Sequence, residues 1–143
     1  MNLFRGDYPI FDKILIGIDG SDESLRAVNR VIEIQKGSEG NVVVFHSVLH
    51  KGSSSKQKKL ISKGKGVLSK VSKMFEKANI PFETRLIEDQ DPEEYIEKIA
   101  ESENFNLVVL GNAGEHKSLK AKLLGSIPTK VMNSISVDVL VVK

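Results

Sequence analysis

The sequence predicts an α/β domain: a three-layer, open, five-stranded parallel sheet with helices on both faces, its strand order taken as 3-2-1-4-5. Three observations predict it. Apolar runs alternate with segments of helical periodicity from Lys13 to the C-terminus, so strands and helices take turns. Inner strands such as Lys13–Asp19 and Asn106–Leu110 are apolar at consecutive positions, as strands covered on both faces must be. A helical segment separates each strand from the next, which is the right-handed crossover that parallel strands require. At 143 residues the chain is expected to be one domain, 1–143, with residues 1–12 as an N-terminal arm.

The elements run in order along the chain. Met1–Asp12 mixes Phe4, Tyr8, Ile10 and Phe11 with Gly6 and Pro9 and reads as an extended arm on the domain. The first strand, Lys13–Asp19, turns at Gly20-Ser21. Ser21 is a candidate N-cap, and Asp22 and Glu23 suit the positive end of the helix that buries Leu25, Val28, Val31 and Ile32. Gly37–Gly40 ends that helix, and Asn41–Leu49 is the second strand. After the loop His50–Ser55, a long helix over 56–79 has the stripe Leu60, Gly64, Val67, Val71, Met74, Phe75 and Ala78. Phe82–Glu88 is polar enough for a sheet edge. Asp91-Pro92-Glu93-Glu94 starts a helix that runs to about Glu103 and buries Ile96, Ile99 and Ala100. The strand Asn106–Leu110, a helix from about Ile127 to Asn133 and the strand Val137–Val142 complete the chain.

Composition narrows the function classes. The chain has no cysteine, so disulfides, thiolate catalysis and cysteine-based zinc sites are excluded. No apolar run approaches a membrane span and Met1–Lys13 lacks a signal-peptide core, so a cytoplasmic protein with no membrane partner is expected. His46, His50 and His116 show no metal-ligand spacing, and no metal site built by the protein alone is expected. Lys51–Lys77 holds nine lysines and one acid, Glu76. Without arginine or interleaved aromatic residues it reads as a solvated face, and nucleic acid is not an expected partner.

The stretch 106–127 organises the rest. A buried strand ends at Gly111, a polar loop with Gly114 comes next, and Gly125-Ser126-Ile127-Pro128 opens a helix at which Ser126 can cap. In the order 3-2-1-4-5 this loop and Asp19-Gly20-Ser21 both lie at the strand C-termini where the winding reverses, which is where open α/β sheets bind ligands. A helix N-terminus receives anions. The helix after Ser21 begins with two acids, whereas the one after Gly125 begins with none and is preceded by Lys117, Lys120 and Lys122. Phosphate is therefore assigned to the second, and Asp19 is left for a cation, for hydroxyls or for capping its own turn.

Ile18–Ser21 (Ile-Asp-Gly-Ser), His46–Val48 (His-Ser-Val) and the glycines Gly111, Gly114 and Gly125-Ser126 together resemble the universal stress protein family over nearly the whole chain from Lys13. In the nucleotide-binding members the glycine motif has nine residues in its second gap; here Glu115–Leu124 has ten. The resemblance implies a Rossmann-like sheet of the adenine nucleotide alpha hydrolase type and a homodimeric stress-response regulator that binds ATP, or ADP or AMP, with Mg²⁺. It implies that Asp19 lies near the ribose or the magnesium ion, that Ile18 belongs to the same binding site, and that the backbone of Val48 meets adenine. It implies that Leu110 and Gly111 approach ribose and phosphates, and that Gly114, Gly125, Ser126 and Ile127 wrap the triphosphate.

The edge strand Val137–Val142 is the expected homodimer contact, since an apolar open edge calls for cover. Two alternatives stay open: an interaction module that keeps the fold without nucleotide, and a slow ATPase, for which no general base is evident beside the loop. A phosphate-accepting receiver is disfavoured although Asp19, Asp89 and Lys143 lie at strand ends, because Gly20-Ser21 breaks the acidic pair and the pattern has no fifth helix.

Overall fold

The computed structural model describes residues 11–50, 52–112 and 124–143. These form β1 (Lys13–Gly17), α1 (Asp22–Gln35), β2 (Asn41–Val48), α2 (Ser54–Lys77), β3 (Phe82–Glu88), α3 (Pro92–Ile99), β4 (Leu107–Gly111), α4 (Ser126–Ser134) and β5 (Asp138–Val142). The sheet order is β3-β2-β1-β4-β5 with every neighbouring pair parallel, as the alternation predicts.

Period-two alternation splits the core into two layers. Ile14 and Ile16 of β1 face a cluster completed by Val28 and Val31 of α1 and Val71 and Phe75 of α2. Leu15 faces the other cluster, with Phe45, Ile96 and Ile99 of α3 and Val131 of α4. Each fully buried aliphatic or aromatic side chain contributes about 1.5–3 kcal/mol. Two ring pairs add to this: Phe75 stacks on Phe82 at 5.6 Å, and Phe45 meets Tyr95 at 4.8 Å. Of the expected arm, Phe11 packs on the first cluster and the Asp12 carbonyl accepts the Asn41 N–H; residues 1–10 lie outside the described residues.

The elements depart from expectation in places that matter. β1 ends at Gly17, not Asp19. Its pairing with β4 stops at Ile16 opposite Val109, while β4 continues beside β5 as far as Gly111 opposite Val142. A crevice therefore opens between the ends of β1 and β4. α2 begins at Ser54, where the Ser53 hydroxyl accepts the Lys56 N–H. Leu60 is not on the buried stripe: it is 40% exposed, and Leu68 at 7% takes the core position. The reason is length. Gly64 lies against His46, two residues before β2 ends. Ten residues of α2 precede Gly64 and rise about 15 Å, whereas the remaining two of β2 rise about 7 Å. The first turns of α2 overhang the sheet and have nothing to bury Leu60 against. α3 stops at Ile99, and Asn104 at φ 60° turns the chain into β4.

At the β3 edge Arg85 gathers three partners. Its Nη2 donates to Glu103 Oε1 at 2.9 Å, and its Nη1 donates to Glu103 Oε2 at 3.1 Å and to the Tyr95 hydroxyl at 3.0 Å. A further hydrogen bond joins Arg85 to Glu83. The bond from Arg85 holds the Glu103 carboxyl below its ordinary range, against the opposing effect of burial, and Glu103 in turn raises the guanidinium. A carboxyl depressed in the fold adds stability above its unfolded pKa of about 4.3 and loses it as pH falls toward the folded value. Glu103→Gln is expected to cost about 1–2 kcal/mol near pH 7. In urea midpoints the gap from wild type narrows as pH falls below the unfolded value of about 4.3.

Candidate functional site

The crevice between β1 and β4 is walled by two chain segments. The first leaves β1 with Ile18, whose N–H donates to Phe45 O at 3.0 Å. The Ile18 carbonyl accepts from His46 Nδ1 at 2.7 Å, which fixes the proton on that nitrogen. Asp19 Oδ1 accepts the Ser21 N–H at 2.9 Å, so Asp19 braces its own turn across Gly20 at φ 86°. Ser21 then caps α1, its hydroxyl accepting the Ser24 N–H at 3.2 Å. The N-terminus of α1 is thus closed by its own serine and faced by Asp22 and Glu23.

The second wall is the end of β4 together with Asn112 and the start of α4. Gly111 lies on the first turn of α1: a Cβ there would stand 2.8 Å from the Glu23 carbonyl carbon and 2.9 Å from the Ser24 nitrogen. Asn112 is buried, donates its N–H to Val142 O at 2.9 Å and accepts the Gly125 N–H on Oδ1 at 3.0 Å. Gly125 sits so close that a Cβ would stand 2.5 Å from the Asn112 carbonyl oxygen. Asn112 therefore ties the end of β4 to both β5 and the start of α4.

These contacts correct the reading of Ser126. The N-cap of α4 is Gly125, and Ser126 is an exposed first helical residue. Gly125 has no side chain with which to cap, and Asn112 Oδ1 accepts the Gly125 N–H rather than one from the first turn. The Gly125 carbonyl accepts from the N–H and hydroxyl of Thr129, at 3.2 and 2.8 Å, and Pro128 has no N–H. Among the described residues the N–H groups of Ser126 and Ile127 have no acceptor, and the first turn has no acid. By contrast, α1 and α2 carry serine caps, and α3 starts with Pro92, Glu93 and Glu94.

The other nominated residues take varied positions. Val48 ends β2, is buried, and its carbonyl accepts the Asp89 N–H at 2.9 Å, which uses one of its two lone pairs. Leu110 points its side chain into the second core cluster beside Phe45, leaving only its backbone to the crevice. Ile127 packs on the same cluster. Gly114, His116, Lys117, Lys120 and Lys122 lie outside the described residues. The fold brings Ile18, Asp19, Leu110, Gly111, Gly125, Ser126 and Ile127 to the two walls at one end of the sheet, with Val48 one strand away.

Asn112 escapes sequence reading, which takes His46 only as a strand residue of the His46–Val48 motif and Glu23 only as a helix-start acid. Glu23 is buried, with Oε1 3.4 Å from Arg26 and Oε2 without a hydrogen-bond partner among the described residues. The available signal was weak: an asparagine directly after a strand-ending glycine is a residue that can cap at a distance.

Comparison with known proteins agrees with this architecture. Residues 10–143 match the Universal stress protein family. Universal stress protein MJ0531 of Methanocaldococcus jannaschii is 31% identical, over 99% of this chain and 88% of its own length. The solved structure of hypothetical protein MJ0577 superposes with a TM-score of 0.84 at 26% identity, covering 94% of this chain and 96% of that one. A universal stress protein from Archaeoglobus fulgidus solved in complex with dAMP gives a TM-score of 0.70 at 20% identity, over 94% and 99% of the two chains. With its sheet order and its whole length from residue 10 matched, this chain belongs to the universal stress protein family.

Proposed function

We propose that this protein binds an adenine nucleotide in the β1/β4 crevice and acts as a dimeric, cytoplasmic stress-response regulator. The observation that carries the reading is the start of α4. Its Ser126 and Ile127 N–H groups are without acceptors among the described residues, and its first turn is without acid. Family relatives solved with cAMP and with dAMP support an adenine nucleotide. ATP with Mg²⁺ is the preferred ligand. Its phosphates lie on the N–H groups of Ser126 and Ile127, with Gly114 beside them. Ribose lies along Leu110 and Gly111, Asp19 and Ile18 face the ribose or Mg²⁺, and adenine meets the Val48 backbone. At about a hundred times its dissociation constant the ligand adds about 2.7 kcal/mol, a rise of about 9 °C in melting temperature for a domain of this size. No shift at millimolar ATP with Mg²⁺, with AMP and cAMP equally silent, overturns the reading.

A second reading, a nucleotide-free dimerisation module, is favoured by one observation: Gly111 and Gly125 each have a packing reason to be glycine. It predicts a dimer and no shift.

In both readings the dimer forms through β5. Val142 O accepts from Asn112, just past the end of β4, so by alternation the backbone groups of Val139 and Val141 face the open edge. Val141→Pro removes an edge N–H and leaves the β4 ladder intact. It is expected to yield a folded monomer in sedimentation velocity, whereas a dimer that survives it uses another surface.

A further inference from the structure

α2 carries a solvent face that the crevice does not use. Lys56, Lys59, Lys63, Lys70, Lys73 and Lys77 are all exposed. At about 100° per residue they fall within an arc of about 100°, and from first to last they rise about 32 Å. The helix holds eight lysines and one glutamate, +7 in a chain whose total is +2, which leaves −5 for the remainder. None of these eight lysines makes an ion pair among the described residues. Lys56 and Lys59, Lys59 and Lys63, Lys70 and Lys73, and Lys73 and Lys77 are like-charged neighbours three or four apart, which repel. The first turn has no acid, so its lysine also opposes the helix dipole. The ridge therefore carries a repulsion that the chain does not relieve and that an external polyanion would.

Shape and composition narrow that polyanion. The ridge is a long convex line, which suits a flat surface more than a narrow ligand. It lacks arginine for bidentate base or phosphate contacts, and its aromatic residue, Phe75, is fully buried. Leu60 lies exposed on the overhanging turns, in a shallow groove with Lys56, Lys59 and Lys63. An apolar side chain ringed by cations matches the boundary of anionic headgroups and acyl chains. We propose that the α2 ridge docks the protein peripherally on an anionic bilayer, with Leu60 entering the headgroup boundary. The sequence-based expectation of no membrane partner rested on the lack of a spanning segment; peripheral docking needs none.

The test is co-sedimentation of the full chain with phosphatidylserine-containing vesicles, with neutral phosphatidylcholine vesicles and with duplex DNA and single-stranded RNA, at low and physiological salt. Binding is expected to the anionic vesicles alone and to weaken with salt. Each ridge lysine removed should weaken it about fivefold, so Lys59→Gln with Lys63→Gln loses about 25-fold. Lys58→Gln with Lys65→Gln, equal in charge but off the ridge, loses far less, and Leu60→Ser loses severalfold at constant charge. These are exposed positions, and circular dichroism checks that each variant is folded. Absence of binding to anionic vesicles at low salt overturns the proposal. So does equal loss in the two double variants, an unchanged Leu60→Ser variant, or binding to nucleic acid in place of vesicles.

Discussion

Gly111→Ala is expected to destabilise the protein by about 2–4 kcal/mol, with nucleotide or without it. The added methyl would stand within 3.0 Å of the backbone of Glu23 and Ser24. Those atoms belong to the first turn of α1, which Ser21 caps and the first core cluster holds down, so neither side yields cheaply. The urea midpoint should fall accordingly, and added ATP should raise wild type and variant by similar increments. A glycine kept only for phosphate approach would behave in the opposite way: unchanged stability and a lost ligand effect.

The second large effect is on binding. Ser126→Asp places a carboxylate at the first position of α4, where the helix dipole favours it, so stability should be unchanged or about 0.5 kcal/mol higher. The same carboxylate faces the proposed phosphates. At about 5 Å and an effective dielectric constant near about 20, each pair of unit charges costs about 3 kcal/mol, enough for roughly a hundredfold loss in ATP affinity. Ser126→Ala, which adds no charge, should change the affinity little. Titration calorimetry separates the two variants, and equal affinity in all three proteins would move the phosphates elsewhere.

The fold was legible because its signals are local and repeated. Ile14 to Ile16 and Leu107 to Leu110 are apolar on both faces, and Val28, Val31, Val71 and Phe75 repeat at helical spacing. The polar strand Phe82–Glu88 pointed to one sheet edge, whereas the order 3-2-1-4-5 was a premise in placing the site, and the sheet has that order. What was not legible depends on contacts far apart in sequence. Ser126 looked like a cap because serine before a helix usually is one; the helix instead takes Gly125 as its N-cap, and the Gly125 N–H is held from a distance by Asn112, in the preceding strand's exit. Leu60 fits the stripe, and only the overhang of α2 past β2 shows that nothing covers it. Gly111 and Gly125 show in sequence that a Cβ is missing, not what fills its place, and in both cases it is the protein's own backbone. The glycines thus argue less for a ligand than their pattern does, and the weight passes to the N–H groups of α4.

Those N–H groups are the direct test. Backbone amide resonances of Ser126 and Ile127, tracked by nuclear magnetic resonance as ATP with Mg²⁺ is added, should move most and saturate at one nucleotide per chain, while Glu23 and Ser24 move little. Largest shifts at the start of α1, or no shift at Ser126 and Ile127 at millimolar ATP, would contradict the assignment of the phosphates to α4.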